Sequence, residues 1–226
     1  ALSTNIKIIR ELDHIIVLAP DQFDYFAQHV PANKISFIPH GVDTDFYCPA
    51  DSANHDIKFK CLSVGHWLRD YAIVFRVAGM LQTNKNIEFH IVSGSVKVPP
   101  GFKNVFVHAG IDDNALLGMY QQAGLLFVPL LKATANNAIL EGIACGLPVV
   151  TTDLTATRTY LSGDEAFFIP RNSPELFAEA LLKLYQNAEL RRKMSLSARK
   201  RALELSWQEI SRQYEALYLK LMTEAG

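Results

Sequence analysis

The 226-residue sequence lacks several features that mark specialised classes of protein. Its formal net charge is −1, so no overall positive field attracts nucleic acid, and we expect no nucleic-acid partner. No apolar run approaches the ~20 residues needed to span a bilayer. The polar opening is not a charged segment followed by an apolar run, so the sequence does not predict a signal peptide.

Cysteine is scarce, and the spacing of the cysteines matches no metal-binding or redox motif. Cys48, Cys61 and Cys145 are an odd set without metal-like or redox spacing. Cys61 and Cys145 lie in apolar runs, which favours small buried side chains in a reducing compartment. We therefore expect a cytoplasmic protein.

Short apolar runs alternate with segments of helical periodicity along most of the chain. The runs are predicted as strands: 14–20, 34–43, 59–65, 87–94, 104–110, 125–131, 147–153 and 166–170. We interpret them as apolar throughout, which is typical of a parallel sheet covered on both faces. The predicted fold is α/β: a Rossmann-like parallel sheet with helices on both faces and a helical C-terminal tail.

Helix and boundary signals complete this organisation. Asp21 is predicted to cap the helix after the first strand, and Ser173-Pro174 to open a later one. Ser206 and Glu209 have the spacing of a capping box before the last helix. The polar stretch 50–56 is interpreted as a boundary.

One acid is isolated within a long uncharged segment. Glu141 is the only ionisable acid or base in ATANNAILEGIACGLPVVTT (133–152), and its helical neighbours are small or apolar. A helix that is apolar all round is buried, and a carboxylate there is costly unless something pairs with it. A ligand with adjacent hydroxyls, such as a ribose, would be a suitable partner. We interpret the segment as a binding site on a buried helix.

Two loops at predicted strand ends carry further candidates, because ligands of open α/β sheets bind beyond those ends. Gly65, His66 and Arg69 follow the 59–65 strand; the Arg fork suits phosphate oxygens, although an Arg–Asp surface pair in a plain loop explains the spacing equally well. Asn136 and Asn137 precede Glu141; they can act only as helix caps, or the helix start can hold a diphosphate. Asn137 and Glu141 share a helical face, which favours the second interpretation.

The remaining candidates are weaker. The turn containing Ile111 could contact a base edge, but a plain strand-to-helix turn is favoured. His90 is interpreted as a satisfied histidine on a strand. A basic cluster could contact anionic lipid, although such clusters are more often a solvated helical face; its members are Arg191, Arg192, Lys193, Arg199, Lys200 and Arg201. The GxGxxG fingerprint is missing, which disfavours a dinucleotide site.

Three segments together resemble a known family. IPHGVDTDFYCP, SVGHWLRD and ANNAILEGIACGLPVVTTD are similar in order and approximate spacing to the group 1 (family 4) retaining glycosyltransferases, and SWQEISRQYEALY resembles their closing helix. The resemblance implies a GT-B architecture in which this chain is the C-terminal, donor-binding domain. It implies a nucleotide-diphospho-sugar donor (UDP- or GDP-sugar), with no metal and no cofactor.

The resemblance also assigns roles to the candidates. Glu141 matches the acid that binds the ribose, Arg69 and His66 lie in the diphosphate loop, and Ile111 matches a residue whose backbone meets the base. The first acid of the donor motif would fall at position 133, where this chain has Ala133. Asn136 and Asn137 could take over part of its role.

The resemblance implies that the acceptor-binding domain is missing from this chain. We assign residues 1–33 to the end of the N-terminal domain and its linker, residues 34–205 to the donor domain, and residues 206–226 to a helix packing back toward the N-terminal domain. The chain is then a fragment that binds donor but transfers little sugar alone. A non-catalytic sugar-nucleotide-binding relative, favoured by Ala133, and a sugar-nucleotide epimerase stay open as alternatives.

Overall fold

A computed structural model describes residues 2–51 and 58–224, with the side chains of residues 2–5 left out. The N-terminal part contains helix α1 (Leu2–Glu11), strand β1 (Ile15–Val17), helix α2 (Pro20–Phe26), a 3-10 turn (Ala32–Lys34) and strand β2 (Ile35–Phe37). Strands β1 and β2 pair in parallel as a small sheet of their own, over a core of Ile15, Val17, Val30 and Ile35.

The larger sheet has six strands, all parallel. They are β3 (Phe59–Val64), β4 (Ile87–Val92), β5 (Val105–His108), β6 (Leu125–Val128), β7 (Val149–Thr152) and β8 (Ala166–Ile169). Their order is β5-β4-β3-β6-β7-β8, so the chain moves outward from β3 in one direction and then returns to the other side. This order confirms the predicted Rossmann-like fold and places a topological switch point between β3 and β6.

Helices cover both faces of this sheet. Their bounds are α3 (Tyr71–Met80), α4 (Asp113–Gln122), α5 (Asn137–Ala144), α6 (Thr155–Tyr160), α7 (Pro174–Gln186), α8 (Ala188–Glu204) and α9 (Trp207–Glu224), with a 3-10 turn at Pro170–Asn172. Helices α3 and α7 pack in one apolar core, while α4, α5 and parts of α6, α8 and α9 pack in the other.

Several local predictions differ from the structure. Asp21 does not cap α2: the N-cap is Ala19, and the Gln22 side chain accepts from the backbone of Leu18 and Ala19 instead. Strand β4 is not apolar throughout, since buried and half-buried residues alternate along it.

Other local predictions are confirmed. Ser173 caps α7 through its hydroxyl, and the backbone N–H of Glu209 donates to the Ser206 hydroxyl at the start of α9. The Glu209 carboxylate pairs with Arg212, so only one half of the predicted capping box forms. Most of the predicted boundary at 50–56 lies outside the described residues.

The C-terminal helix lies near β1 and the segment that follows β2. The backbone N–H of Val42 donates to Leu205 and that of Trp207 donates to Val42, so the segment after β2 is tied to the start of α9. Lys220 and Glu224, at the other end of α9, contribute to the electrostatic field at His14. Tyr214 and Leu217 of α9 pack against the same core as Ile16 of β1.

Candidate functional site

The carboxyl ends of β3 and β6 meet at the switch point and are joined by hydrogen bonds. The loop after β3 donates from Asp70 N–H to the Pro129 carbonyl at 2.9 Å, and Leu131 N–H donates back to the Leu68 carbonyl at 3.0 Å. Leu68 adopts a left-handed φ of 57°, an uncommon conformation for a residue with a side chain. The two loops therefore form one fixed rim beside the start of α5.

Arg69 is held at this rim by three hydrogen bonds. Its Nε donates to the Val64 carbonyl at 2.8 Å, its Nη1 to the Trp67 carbonyl at 3.2 Å, and its Nη2 to Asn136 Oδ1 at 3.0 Å. A guanidinium has five N–H groups, so two are left for a ligand. Burial, the largest cause, lowers the pKa of Arg69, while Tyr71, Tyr120 and Glu141 oppose the shift.

Gly65 allows this placement of Arg69. It has a φ of 98°, and a Cβ at this position would lie 3.0 Å from Arg69 Nη2. The Gly65 carbonyl also accepts from the Tyr71 hydroxyl. Asp70 is used separately, since it caps α3 and accepts from Asn172. The surface Arg–Asp pair that the spacing left open is therefore not what these side chains form.

The N-terminus of α5 faces the same rim. Asn136 is the N-cap, and its Oδ1 accepts both from Ile139 N–H and from Arg69. Asn137 is the first residue of the helix and its side chain is exposed. Because the first N–H groups of a helix have no partner within it and carry a partial positive charge, this end can hold an anion.

Glu141 has a partner that sequence reasoning missed. The hydroxyl of Tyr120, a fully buried residue of α4, donates to Glu141 Oε2 at 2.8 Å. Burial, the largest cause, raises the pKa of Glu141, and the Tyr120 hydrogen bond opposes it. Burial together with Glu141 also raises the pKa of Tyr47 to about 12. The carboxylate is thus supported on one side by a phenol.

The other side of Glu141 faces a small pocket of about 140 Å³. His40, Tyr47, Asn137 and Trp207 also line it, so Asn137 and Glu141 do share a face as predicted. The Tyr47 and Tyr120 rings meet edge to face at 5.9 Å. The sequence pointed to Glu141 because this acid has no charged neighbour on its own helix. That pattern did not identify Tyr120 as its partner.

A larger cleft of about 560 Å³ opens on the other side of the α5 N-terminus. Arg69, Lys132, Ala133 and Asn136 line it on one side, and Asp21 lies on another. Trp67, 74% exposed, also lines it. Ala133, which the resemblance aligns with the first acid of the donor motif, is among the residues that line this cleft.

The remaining predicted residues are His66 and Ile111. His66 is exposed in the β3 loop. Ile111 follows Gly110, whose φ of 67° makes the turn after β5, and lines a separate cavity between α4 and the sheet. The structure thus places Arg69 beside both Gly65 and Asn136, places Asn137 with Glu141 in one pocket, and sets Ile111 in a separate cavity after β5.

Asn172 is a second residue that sequence reasoning missed. Its Nδ2 donates to Asp70 Oδ2 at 2.9 Å and to the Leu130 carbonyl at 3.1 Å. Its Oδ1 accepts from the Thr152 hydroxyl, which in turn accepts from Leu130 N–H. This amide links the ends of β6 and β7 to the start of α3, and so supports the rim that carries Arg69.

Half of the basic cluster of α8 is used inside the molecule. Arg199 donates to the carbonyls of Ala144, Tyr47 and Thr44, Arg201 donates to Tyr160 and Thr159, and Arg191 donates to Leu184 and Tyr185. These carbonyls include the last turns of α5, α6 and α7, where cations are favourable. Arg192, Lys193 and Lys200 are exposed, and Arg192 pairs with Glu189. No helix among the described residues is long and apolar enough to cross a bilayer.

Two known proteins are similar to this chain over nearly its whole length. The D-inositol 3-phosphate glycosyltransferase of Corynebacterium diphtheriae is 20% identical over 94% of this chain and 57% of its own length. The structure of sucrose-phosphate synthase from Thermosynechococcus elongatus superposes with a TM-score of 0.81 at 18% identity, covering 99% of this chain and 62% of that one.

A third protein has been solved with ligands. The structure of Anabaena HepE in complex with UDP and glucose superposes with a TM-score of 0.80 at 13% identity, covering 96% of this chain and 66% of that one. These likenesses show the fold. The chain spans little more than half the length of its curated relative. The family model for glycosyl transferases group 1 matches residues 62–187, more than half of the chain, and the chain therefore belongs to that family.

Proposed function

We propose that this chain is the donor-binding part of a retaining, metal-independent glycosyltransferase that takes a hexosyl group from a nucleotide-diphospho-sugar. The observation that carries the proposal is the contact between Arg69 Nη2 and Asn136 Oδ1 at the N-terminus of α5. Two sources of positive charge, a guanidinium and a helix N-terminus, are thereby fixed at one point. Such a point suits a diphosphate.

The rest of the nucleotide fits the other two positions along the sheet edge. Glu141, with one oxygen held by Tyr120, can accept hydrogen bonds from both hydroxyls of a ribose. The raised pKa of Glu141 reflects the cost of burying this carboxylate. Hydrogen bonds from a ribose would offset part of that cost. The turn at Gly110 and Ile111 is left for the base. The 560 Å³ cleft beyond Arg69 is left for the sugar.

Arg69 also has a role in the reaction. When the bond between the sugar and the diphosphate breaks, negative charge builds up on the leaving diphosphate. Arg69 and the α5 N-terminus are already oriented toward that position and need not reorganise as the charge develops. We propose that they stabilise the leaving group in place of a metal ion.

The nucleotide is proposed to be UDP or GDP. Anabaena HepE, which has the same fold, was solved with UDP and glucose. The acceptor would be bound by a domain that is not in this chain, with residues 1–33 as its end and 206–226 as a helix that packs against it. Transfer requires closure of that domain over the donor. Because lysines of α8 are exposed, we also propose that the whole protein contacts a membrane surface peripherally.

The test is calorimetric titration of this chain with UDP, GDP, ADP, NAD and inorganic pyrophosphate. We expect one nucleoside diphosphate to bind, pyrophosphate to bind more weakly, and NAD not to bind. Glu141→Ala should lower the affinity for nucleoside diphosphates and leave the affinity for pyrophosphate unchanged, because only the contact with the ribose is lost. Failure of the unaltered chain to bind either pyrophosphate or any nucleoside diphosphate would sink the proposal.

A second function is favoured by one specific observation. Ala133 lines the cleft where the family motif has an acid, so the sugar lacks that contact. A relative that binds the nucleotide-sugar without transferring it would have this substitution. The Ala133→Glu variant distinguishes a non-catalytic relative from a transferase. If the chain is a non-catalytic relative, this variant should bind the nucleotide-sugar more tightly relative to the bare nucleotide than the unaltered chain does. An unchanged preference would show that the cleft does not need the acid and would favour transfer by the natural sequence.

A further inference from the structure

The cleft beside the α5 N-terminus contains a positive group that no contact within the molecule uses. Of the residues that line this cleft of about 560 Å³, three carry charge at neutral pH: Arg69, Lys132 and Asp21. Arg69 is held at the rim by three hydrogen bonds. Lys132 is exposed, and none of the ion pairs in the described part of the chain includes it. Its ammonium is therefore available to a ligand.

The backbone that carries Lys132 is fixed to the loop after β3. Arg69 and Leu130 form an antiparallel bridge, and Leu131 N–H donates to the Leu68 carbonyl at 3.0 Å. The next residues outward on the two segments are Trp67 and Lys132, and both line the cleft. An indole and an ammonium thus lie at one rim of the cleft on backbone that is already ordered, which lowers the entropic cost of binding there.

Trp67 is the most exposed of the large apolar side chains in the part of the chain that the structure describes, at 74%. A large apolar ring left in water gains free energy when a partner covers it. The face of an aromatic ring is negative, and the C–H groups on one face of a pyranose carry partial positive charge. The indole therefore suits a sugar ring that stacks on it.

The rest of the lining adds little charge. Ala133 is uncharged and follows Lys132 directly, and Thr134 and Thr155 contribute neutral hydroxyls. Asp21 is the one acid among the lining residues, so positive groups outnumber negative ones by two to one. A lysine ammonium gains more from a carboxylate than from a hydroxyl, because the pair adds charge attraction to the hydrogen bond. The charges of this cleft therefore favour a sugar that is itself an anion.

We propose that the sugar transferred from the donor is a hexuronosyl group, a hexosyl group whose C6 is a carboxylate. Lys132 binds that carboxylate, and Trp67 stacks on the apolar face of the pyranose ring. The inference rests on the proposed function and specifies its sugar. Lys132 and Trp67 act in specificity and leave the bond-breaking step to Arg69 and the α5 N-terminus.

The test compares donors that differ only at C6. UDP, UDP-glucose and UDP-glucuronate are titrated calorimetrically into the unaltered chain; if GDP is the nucleotide that binds, GDP, GDP-mannose and GDP-mannuronate replace them. The uronate should bind about tenfold more tightly than the neutral nucleotide-sugar, because one ion pair is added. The ratio of the two affinities should shrink between low and high concentrations of sodium chloride, because salt screens an exposed charge pair.

Charge changes at Lys132 and beside it should alter this ratio alone. Lys132→Gln should lower the affinity for the uronate to that of the neutral nucleotide-sugar and leave UDP and inorganic pyrophosphate unaffected. Lys200→Gln is the matched control, because it removes an exposed lysine on α8 that does not line the cleft. Ala133→Glu places a carboxylate next to Lys132 and should make the neutral nucleotide-sugar the preferred ligand of the pair.

The contribution of the indole is measured separately. Trp67→Ala should lower the affinity for both nucleotide-sugars about fivefold relative to that for UDP, because the stacking surface is lost. Trp67→Phe retains a flat ring and should restore most of the affinity. Both substitutions are at an exposed position, so the fold should be unaffected.

Three results would overturn the inference while leaving the donor site intact. The first is equal affinity of the unaltered chain for the uronate and the neutral nucleotide-sugar. The second is an equal loss of pyrophosphate, UDP and uronate affinity in Lys132→Gln, which would make Lys132 a ligand of the diphosphate. The third is unchanged binding of both nucleotide-sugars in Trp67→Ala. If neither pyrophosphate nor any nucleoside diphosphate binds the unaltered chain, the proposed function fails as well, so the two failures are distinguishable.

Discussion

The two ends of helix α5 are each met by an arginine, and the two contacts have opposite electrostatic sense. At the C-terminus, Arg199 donates to the Ala144 carbonyl at 2.8 Å, where the helix carries partial negative charge. At the N-terminus, Arg69 lies beside Asn136, where the helix is already positive. The first arrangement stabilises the folded chain alone. The second adds like charge to like charge and becomes favourable when an anion lies between them.

The difference separates an arginine that stabilises the fold from one that we propose binds a diphosphate. Arg199 belongs to a cluster that a sequence reader would test for lipid binding, yet its guanidinium is used on internal carbonyls of Ala144, Tyr47 and Thr44. Arg69 makes three hydrogen bonds as well, but one of them reaches Asn136 at the positive end of α5, where a cation is favourable only together with an anion. Which helix end an arginine faces is therefore more informative than how many basic residues surround it.

The largest expected effect is on stability, at the C-terminal end. Arg199→Met should lower the free energy of unfolding by about 3 kcal/mol, because three carbonyl acceptors lose a charged donor. Urea denaturation followed by circular dichroism measures the change. The affinity for pyrophosphate should stay the same, and a coupled loss of binding would blur the distinction between the two arginines.

At the N-terminal end the larger effect should fall on binding. Arg69→Ala should lower the affinity for pyrophosphate and for nucleoside diphosphates about thirtyfold, equivalent to ~2 kcal/mol of binding free energy. The reason is that charge-assisted hydrogen bonds to the anion are lost. Calorimetric titration measures it. Unchanged affinity would show that Arg69 is a loop-ordering residue only, and the assignment of the diphosphate position would have to be abandoned.

Between the two ends, Glu141→Gln should act in opposite directions on stability and binding. The amide keeps an acceptor for Tyr120 but removes a buried charge, so the free energy of unfolding should rise by about 1 kcal/mol at neutral pH. Nucleoside diphosphate affinity should fall about tenfold, because a charged acceptor is lost.

The pH dependence checks the cause of the Glu141→Gln effect. Because the folded protein raises the pKa of Glu141 above its ordinary value of 4.5, the native state binds the proton more tightly than the unfolded chain. The cost of ionising Glu141 is complete above the raised pKa and disappears as the pH falls toward 4.5. The stability difference between wild type and Glu141→Gln should shrink over that interval; a constant difference would point to altered packing.

The smallest effect is expected for an arginine that meets neither helix end. Arg192→Met removes an exposed pair with Glu189 on α8, and such surface pairs contribute little. The free energy of unfolding and the affinity for pyrophosphate should both equal those of the unaltered chain within error. A clear loss of stability would mean that the α8 cluster acts as a whole rather than through particular carbonyls.

Most of the fold followed from local patterns. The six strands of the large sheet and helix α5 are marked by apolar runs and a cap that lie close together in sequence, and all were predicted. Helix α6 (Thr155–Tyr160) was missed because TATRTY has no apolar stripe. Helix α1 (Leu2–Glu11) was missed because its opening is polar.

The candidate site was predictable only where its signal is local. Asn136, Asn137 and Glu141 lie on one short helix, so their spacing revealed them. Tyr120 and Asn172 act across 21 and 102 residues of sequence, on Glu141 and Asp70, and no periodicity records such contacts. The hydrogen bonds of Arg199 are equally remote, which explains why sequence reasoning interpreted its cluster as a surface.

The tie between Val42 and Trp207 brings the neighbouring Gly41 against the Trp207 ring, and this contact has a consequence for how the sequence can vary. A Cβ on residue 41 would lie 2.5 Å from the Trp207 ring, so residue 41 cannot gain a side chain while Trp207 keeps its place. Related chains with a side chain at the first position should have a smaller residue at the second, and the pair should covary although 166 residues separate them. The first residues after β2 and the first residue of the last helix are then inherited as a single unit.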